Sequence, residues 1–251
     1  MPSRLNSQAF IIALTLIISG CVTIYNPATQ RQESLLIDTK QEVALGRQMD
    51  SQVEKDYKIL YNYELKRRLD GIGARIVSVS DRQDVVYYFK IIKEKELNAF
   101  SIPGGFVYVH SGLMDRANDD ELACVLAHEV GHIAARHSVK KLQAVMGYQI
   151  ILNIALGASG SGSMDMAQAM DVVFNLASLG YGRKDEFLSD KLAVKYAKRA
   201  GFNPYGMVTF FETLKKESEE KGSSLNLVFL SSHPPIEERI KNVKQEIASS
   251  P

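Results

Sequence analysis

Residues 122–137 read LACVLAHEVGHIAARH, and three side chains in this stretch can do chemistry together. His128 and His132 stand four apart, so on a helix they lie one turn above each other on one face. Two imidazoles placed this way can reach a single Zn²⁺ at about 2.0–2.1 Å. Glu129, beside the first of them, is placed to take a proton from a water that such a metal activates. The helix is also specified locally. Asn118 can cap its start, and Glu121 three residues on completes a capping-box pattern. Leu122, Val125, Leu126 and Ile133 supply an apolar face to bury. A five-residue pattern is short enough to arise by chance. Its weight therefore depends on a third ligand, a substrate-binding element and a fitting compartment elsewhere in the chain.

A catalytic zinc keeps three protein ligands and one open position. His137, five residues after His132, would point about 140° away from it on a continuous helix. No glycine interrupts residues 133–136, so His137 reads as a packing or hydrogen-bonding residue near the helix end. Glu186 is the better candidate, with Asp185 a weaker alternative. Glu186 and Asp190 are four apart on a helix expected to end at Gly201, ahead of Pro204. In that arrangement Glu186 can bind the metal while Asp190 orients a ligand imidazole through its other ring N–H. Cys124 lies one turn before His128 and is read as a small buried core residue.

Around these residues the chain must supply elements to position them. The 251 residues are 45% hydrophobic and 24% charged with formal net charge +1, an ordinary globular composition with no electrostatic case for nucleic acid. Residues 1–20 read as a signal peptide. Arg4 precedes an apolar run at 9–18 (AFIIALTLII), too short to span a core of about 30 Å as a permanent helix. The run ends in Ile18-Ser19-Gly20-Cys21, which resembles a bacterial lipobox, so Cys21 is expected to carry lipid. Residues 21–37 are polar and pattern-poor and read as a tether, leaving 38–251 as the folded domain. Val22 after the cysteine favours the outer membrane, with the domain on its periplasmic side. With Cys21 lipidated, Cys124 has no disulfide partner.

Thr39 with Glu42 predicts a helix from 39 to about 57, and a second follows over 63–79 with Leu65, Leu69, Ile72, Ile76 and Val79 at helical spacing. Residues 85–92 (VVYYFKII) read as a strand and 106–109 as another, joined by a connection containing Pro103-Gly104-Gly105. The second strand feeds straight into the His-bearing helix and is expected to be the sheet edge on which an extended peptide pairs. Asn98, Ala99, Gly105, Phe106 and Val107 are the residues expected to touch substrate; the plainer reading of Pro-Gly-Gly is a hairpin turn. Residues 141–182 hold an apolar stretch, a Gly/Ser run and a Met-rich segment, which suit either a lid over the cleft or a helix–loop–helix pair. Asn203-Pro204 opens a helix that buries Met207, Phe210, Phe211 and Leu214, and His233-Pro234-Pro235 opens a last one.

Four segments now carry a resemblance: Asn98-Ala99-Phe100 with Pro103-Gly104-Gly105; His128-Glu129-x-x-His132 with Arg136-His137; Gly182-Arg183-x-x-Glu186-x-x-x-Asp190; and His233-Pro234 with Arg239. Together they resemble the membrane-associated gluzincin endopeptidases that include HtpX and the CAAX prenyl protease. The small bacterial lipoprotein members, which lack transmembrane helices and helical-repeat tails, are the most similar. Gly182 stands where a Ser often precedes the Arg, and Ser189 where an Ala often precedes the Asp.

The resemblance implies an α+β, zincin-like, mostly helical domain with a small β-sheet whose edge strand precedes the zinc helix. It implies one Zn²⁺ per chain on His128, His132 and Glu186, with Glu129 as base. It also places His233 near the metal, stabilising an oxyanion or capping the site, and leaves Arg239 open in the same way. The activity it implies is endopeptidase action on unfolded or misassembled envelope proteins. The alternative from another class is a latent zinc-bearing chaperone or assembly factor for outer-membrane proteins.

Overall fold

The computed structural model describes residues 22–155, 181–220 and 235–249. Its first element corrects the tether reading. β1 (Val22–Asn26) and β2 (Arg31–Leu35) pair antiparallel as a hairpin, with Val22 opposite Leu35 and Asn26 opposite Arg31. The alternation is weak because most of the hairpin is exposed, which is why it escapes a periodicity reading. It is tied to the domain near its turn. Ala28 enters the main core, the Asn26 amide donates to the Ala134 carbonyl at 3.2 Å, and Lys140 pairs with Glu33.

Helix α1 (Thr39–Asp56) starts one residue earlier than Thr39 and Glu42 suggest. Asp38 is the cap, accepting from Gln41 N while Gln41 Oε1 accepts from Asp38 N. Glu42 is thereby released from capping and is buried. Helix α2 (Tyr63–Ser78) buries Leu69, Ile72 and Ile76, as its spacing predicts. A mixed sheet follows, built from β3 (Tyr88–Ile92), β4 (Ala99–Ile102) and β5 (Phe106–His110), with a single 3₁₀ turn at Pro103–Gly105 between the last two.

The strand order is β3-β5-β4, with β3 parallel and β4 antiparallel to β5. This corrects the edge assignment. β5 is the central strand, every one of its residues is buried, and its backbone is used on both sides. β3 and β4 are the outer strands; β3 is bonded on its outer side by the 58–60 segment, which leaves β4 as the one with no strand partner there among the described residues. Period-2 alternation divides the sheet between two helical layers. Ala99, Val107 and Val109 join Leu122, Val125 and Leu126 in one core. Ile102, Phe106 and Tyr108 join Leu45, Met49 and Val53 of α1 in the other.

After the short helix α3 (Ser111–Arg116) comes α4 (Asp119–Ala134), which carries the HExxH residues. It is followed by α5 (His137–Ala155), α6 (Arg183–Arg199), α7 (Gly206–Glu220) and α8 (Ile236–Ser249). α4 is buried from Leu122 to Ala134, lies on the sheet and is packed by α2, α6 and α7. The fold is α+β, mostly helical and of the zincin-like class. Among the described residues no helix is long and apolar enough to cross a membrane.

Candidate active site

Helix α4 forms as its ends require. Asn118 Oδ1 accepts from Glu121 N and Glu121 Oε2 accepts from Asn118 N, both at 3.0 Å, completing the capping box. At the level of Gly131, α6 comes close: a Cβ there would stand 3.3 Å from Ser189 O and from Leu192 Cβ. That approach lets Glu186, in the first turn of α6, reach the two imidazoles. His128 Nε2 and His132 Nε2 face each other at 3.0 Å. Glu186 Oε2 lies 3.5 Å from the first and Oε1 3.5 Å from the second.

All three side chains are buried, and their donor atoms fall within 4.8 Å of one another. Two ligands at about 2.0–2.1 Å in a tetrahedron stand about 3.3 Å apart, so this spacing fits the ion. Two imidazole nitrogens and a carboxylate oxygen are also a donor set that suits zinc. Asp185 does not join them. Its carboxylate is 45% exposed and lies 3.6 Å from His137 Nε2.

Glu129 points to the sheet. Ser101 Oγ, on β4, donates to Glu129 Oε2 at 2.8 Å, a contact that sequence reasoning missed. Burial raises the Glu129 carboxyl to about 7, against the pull of His128 and of the Ser101 hydrogen bond. A carboxyl poised there suits general acid–base work at neutral pH. Of the expected substrate residues, Asn98 and Ala99 lie on or beside β4. Gly105 closes the 3₁₀ turn, and Phe106 and Val107 lie on the central strand, which pairs with β3 on one side and β4 on the other.

The two imidazoles are supported differently on their outer nitrogens. His128 Nδ1 lies 2.9 Å from Asp190 Oδ1, and Asp190 is gripped by Arg239 of α8 through Nη2 at 2.6 Å and Nε at 2.9 Å. Arg239 is fully buried over the ring of Phe211, with Nη1 3.6 Å from Glu186 Oε2. Burial opposes a charge on Asp190, but the guanidinium holds its carboxyl below the usual range. Burial also opposes a charge on His128. Its hydrogen bonds to Asp190 and Glu186 outweigh that and raise the imidazole to about 9.

His132 Nδ1 instead meets His137 Nδ1 at 2.9 Å. The continuous helix assumed for residues 122–137 is broken between Ala134 and His137 by Arg136, a non-glycine residue at φ 56. The break turns His137 back toward the site. His137 is therefore a hydrogen-bonding residue, as its chain position suggested, but one aimed at His132. Burial lowers its pKa to about 3. Tyr181 stacks on the His132 ring at 4.0 Å, with its hydroxyl on Ser138. Neither contact carries a sequence signal, since each depends on where a helix ends.

Cys124 is the buried core residue expected of it. Its thiol rests against the carbonyls of Asn203 and Pro204, and burial pushes it up to about 12. His233, Cys21 and residues 156–180 of the suggested lid lie outside the described residues.

Comparison with known proteins agrees with this geometry. The profile of Peptidase family M48 matches residues 64–247. The chain belongs to that family. The gluzincin resemblance is thereby borne out, and the chain is by family a zinc metalloendopeptidase. It is 30% identical over 189 residues to Metalloprotease LoiP of Escherichia coli (strain K12), covering 75% of this chain and 73% of that protein. Metalloprotease YcaL of the same strain is 32% identical over 162 residues, or 64% of this chain and 62% of YcaL. The Beta-barrel assembly-enhancing protease of that strain is 26% identical over 212 residues, or 81% of this chain and 43% of the relative. The chain thus spans less than half the length of that last protein.

Proposed function

We propose that the chain is a lipid-anchored endopeptidase of the bacterial envelope, acting on unfolded or misassembled envelope proteins from the periplasmic side of the outer membrane. The observation that carries the peptidase reading is the buried convergence of His128, His132 and Glu186 beside a Glu129 carboxylate held from the sheet by Ser101. In this reading the three converging residues hold one Zn²⁺. Asp190 sets the ring orientation of His128, with Arg239 fixing Asp190 in turn. Zinc, when bound, supplies Lewis acidity, lowering the pKa of a water and polarising the scissile carbonyl.

Glu129 takes a proton from the attacking water and delivers it to the leaving amine nitrogen. Ser101 occupies Glu129 Oε2 and so leaves Oε1 for that water. An extended substrate pairs along β4 near Asn98 and Ala99, antiparallel-ladder fashion, which brings its backbone beside Glu129. His233 remains a candidate for stabilising the oxyanion.

The compartment rests on Ile18-Ser19-Gly20-Cys21, and the substrate class on that compartment together with a relative named for β-barrel assembly. The test is cleavage of an unfolded protein by the detergent-solubilised chain, compared with Glu129→Gln. Cleavage that chelator abolishes and zinc restores is expected, with the variant slower by about 10²–10⁴-fold. Metal bound one per chain with no cleavage would favour the latent assembly factor instead. Failure to bind metal would overturn the ligand set, and absence of lipid on Cys21 by mass spectrometry would overturn the anchor.

A further inference from the structure

A buried carboxylate outside the metal-ligand set joins the turn after β4 to the end of α4. We propose that Glu42, on α1, is a positioning residue for peptide binding, fixing β4 against the end of α4. Glu42 is 1% exposed. Its Oε1 accepts from the backbone N–H of Gly104 at 3.2 Å and from Arg82 Nη1 at 2.8 Å. Its Oε2 accepts from Arg82 Nη2 and from Arg136 Nη1, each at 2.7 Å. Arg82 Nη1 also donates to the carbonyl of Ile133 at 2.9 Å. One carboxylate therefore ties the turn that ends β4 to the last turn of α4, immediately beyond His132.

The turn is seated on α1 as well. A Cβ at Gly46, one helical turn past Glu42, would stand 2.1 Å from the Pro103 carbonyl oxygen, so only glycine admits the turn this closely. Ser101 lies two residues before Pro103 and donates to Glu129. A shift of the turn is thus passed along β4 to the base itself.

Cohesion alone does not call for this arrangement. Replacing a buried ion cluster by packed apolar residues is often neutral or stabilising. What the carboxylate adds is direction. The paired bonds to Arg82 and the single bond from Gly104 set where the strand stands relative to the helix. Arg136 is held in its left-handed conformation by the same network, which extends to Thr39 at 3.0 Å and Asp84 at 3.1 Å. Glu42 also precedes the 64–247 segment that matches the family profile. The inference rests on the peptidase reading for its functional half, while its structural half stands alone.

The experiment uses the full chain in detergent with zinc, comparing wild type, Glu42→Gln and Asp84→Asn. Two quantities are read: KM and kcat on an unfolded-protein peptide, and amide hydrogen exchange. For Glu42→Gln, whose amide nitrogen replaces an oxygen that accepts two hydrogen bonds, KM rises at least about tenfold, while kcat falls less and zinc affinity holds within about twofold. Exchange at Ser101 and Gly104 speeds up by about tenfold while α7 amides keep their wild-type rates. Asp84→Asn removes a half-exposed arm of the network and gives a smaller shift in the same direction, keeping the test open if Glu42→Gln does not fold. Wild-type KM in both variants overturns the proposal. So does faster exchange spread evenly over all helices, which marks an ordinary core ion cluster. If wild type itself cleaves nothing, the peptidase reading fails. In that case selective exchange at Ser101 and Gly104 still supports the bracket, and its absence overturns it.

Discussion

The two imidazoles of the site stand one turn apart on the same helix, yet they are held by opposite kinds of surroundings. Behind His128 the support is ionic and buried: Asp190, then Arg239, with Phe211 under the guanidinium. Behind His132 the nearest neighbours are uncharged and reach outward: His137, Tyr181 and Ser138, with the 45% exposed Asp185 beyond them. A carboxylate–arginine clamp fixes a ring by charge and geometry together. A neighbouring imidazole and a stacked tyrosine fix it by a hydrogen bond between rings and by packing. One half of the site is therefore expected to fail through lost charge balance and the other through lost packing.

The largest effect that separates them is on stability. Arg239→Met removes the buried guanidinium that grips Asp190 through two hydrogen bonds and is expected to destabilise the metal-free chain by about 3–5 kcal/mol in denaturant unfolding. His137→Ala removes a neutral ring and should fall well short of that. Equal losses would break the comparison.

Metal affinity comes next. Asp190→Asn is expected to weaken zinc binding about 10–100-fold in a chelator competition, with His137→Phe at the lower end of that range. A reversed order would mean that the His132 side dominates.

The two sides also differ with pH. His128 is raised to about 9, so below that value it carries a proton that the metal must displace. Apparent zinc affinity is thus expected to rise with pH, about tenfold per unit up to about 9. His137, lowered to about 3, stays neutral throughout and adds nothing to that slope. In Asp190→Asn the slope should flatten between about pH 7 and 9, because one of the two carboxylates that raise His128 is gone. An unchanged slope would remove Asp190 as its cause.

The smallest effect concerns stacking. Tyr181→Leu is expected to cost about 0.5–1.5 kcal/mol of stability, whereas Tyr181→Phe keeps the ring on His132 and loses only the bond to Ser138. A larger loss for Phe than for Leu would show that the hydroxyl matters more than the ring.

Much of this was legible in residue order because it depends on short range. The capping box at Asn118 and Glu121, the i,i+4 pairs on α4 and α6, and the stop at Gly201 are set within one or two helical turns. So is the burial of Cys124 on an apolar helix. The misreadings share a different cause. The edge strand was placed at β5 because it runs into the zinc helix, yet pairing order is a contact between distant segments. Glu42 was read as a cap because its spacing from Thr39 allows one; its actual partners, Arg82 and Arg136, lie 40 and 94 residues away. The hairpin at 22–35 reads as a tether because the stretch is polar and pattern-poor, its docking resting on a few buried residues such as Ala28.

By itself the sequence determined the chemistry: two imidazoles and a base on one helical face, and a carboxylate pair on another, each fixed by the 3.6-residue period. Tertiary structure decided the use of those residues. It broke the helix at Arg136 and turned His137 onto His132, chose Arg239 to hold Asp190, and set Ser101 on Glu129. These contacts form only when helices and strands far apart in the chain close on one another, and no local pattern encodes the distance at which they do.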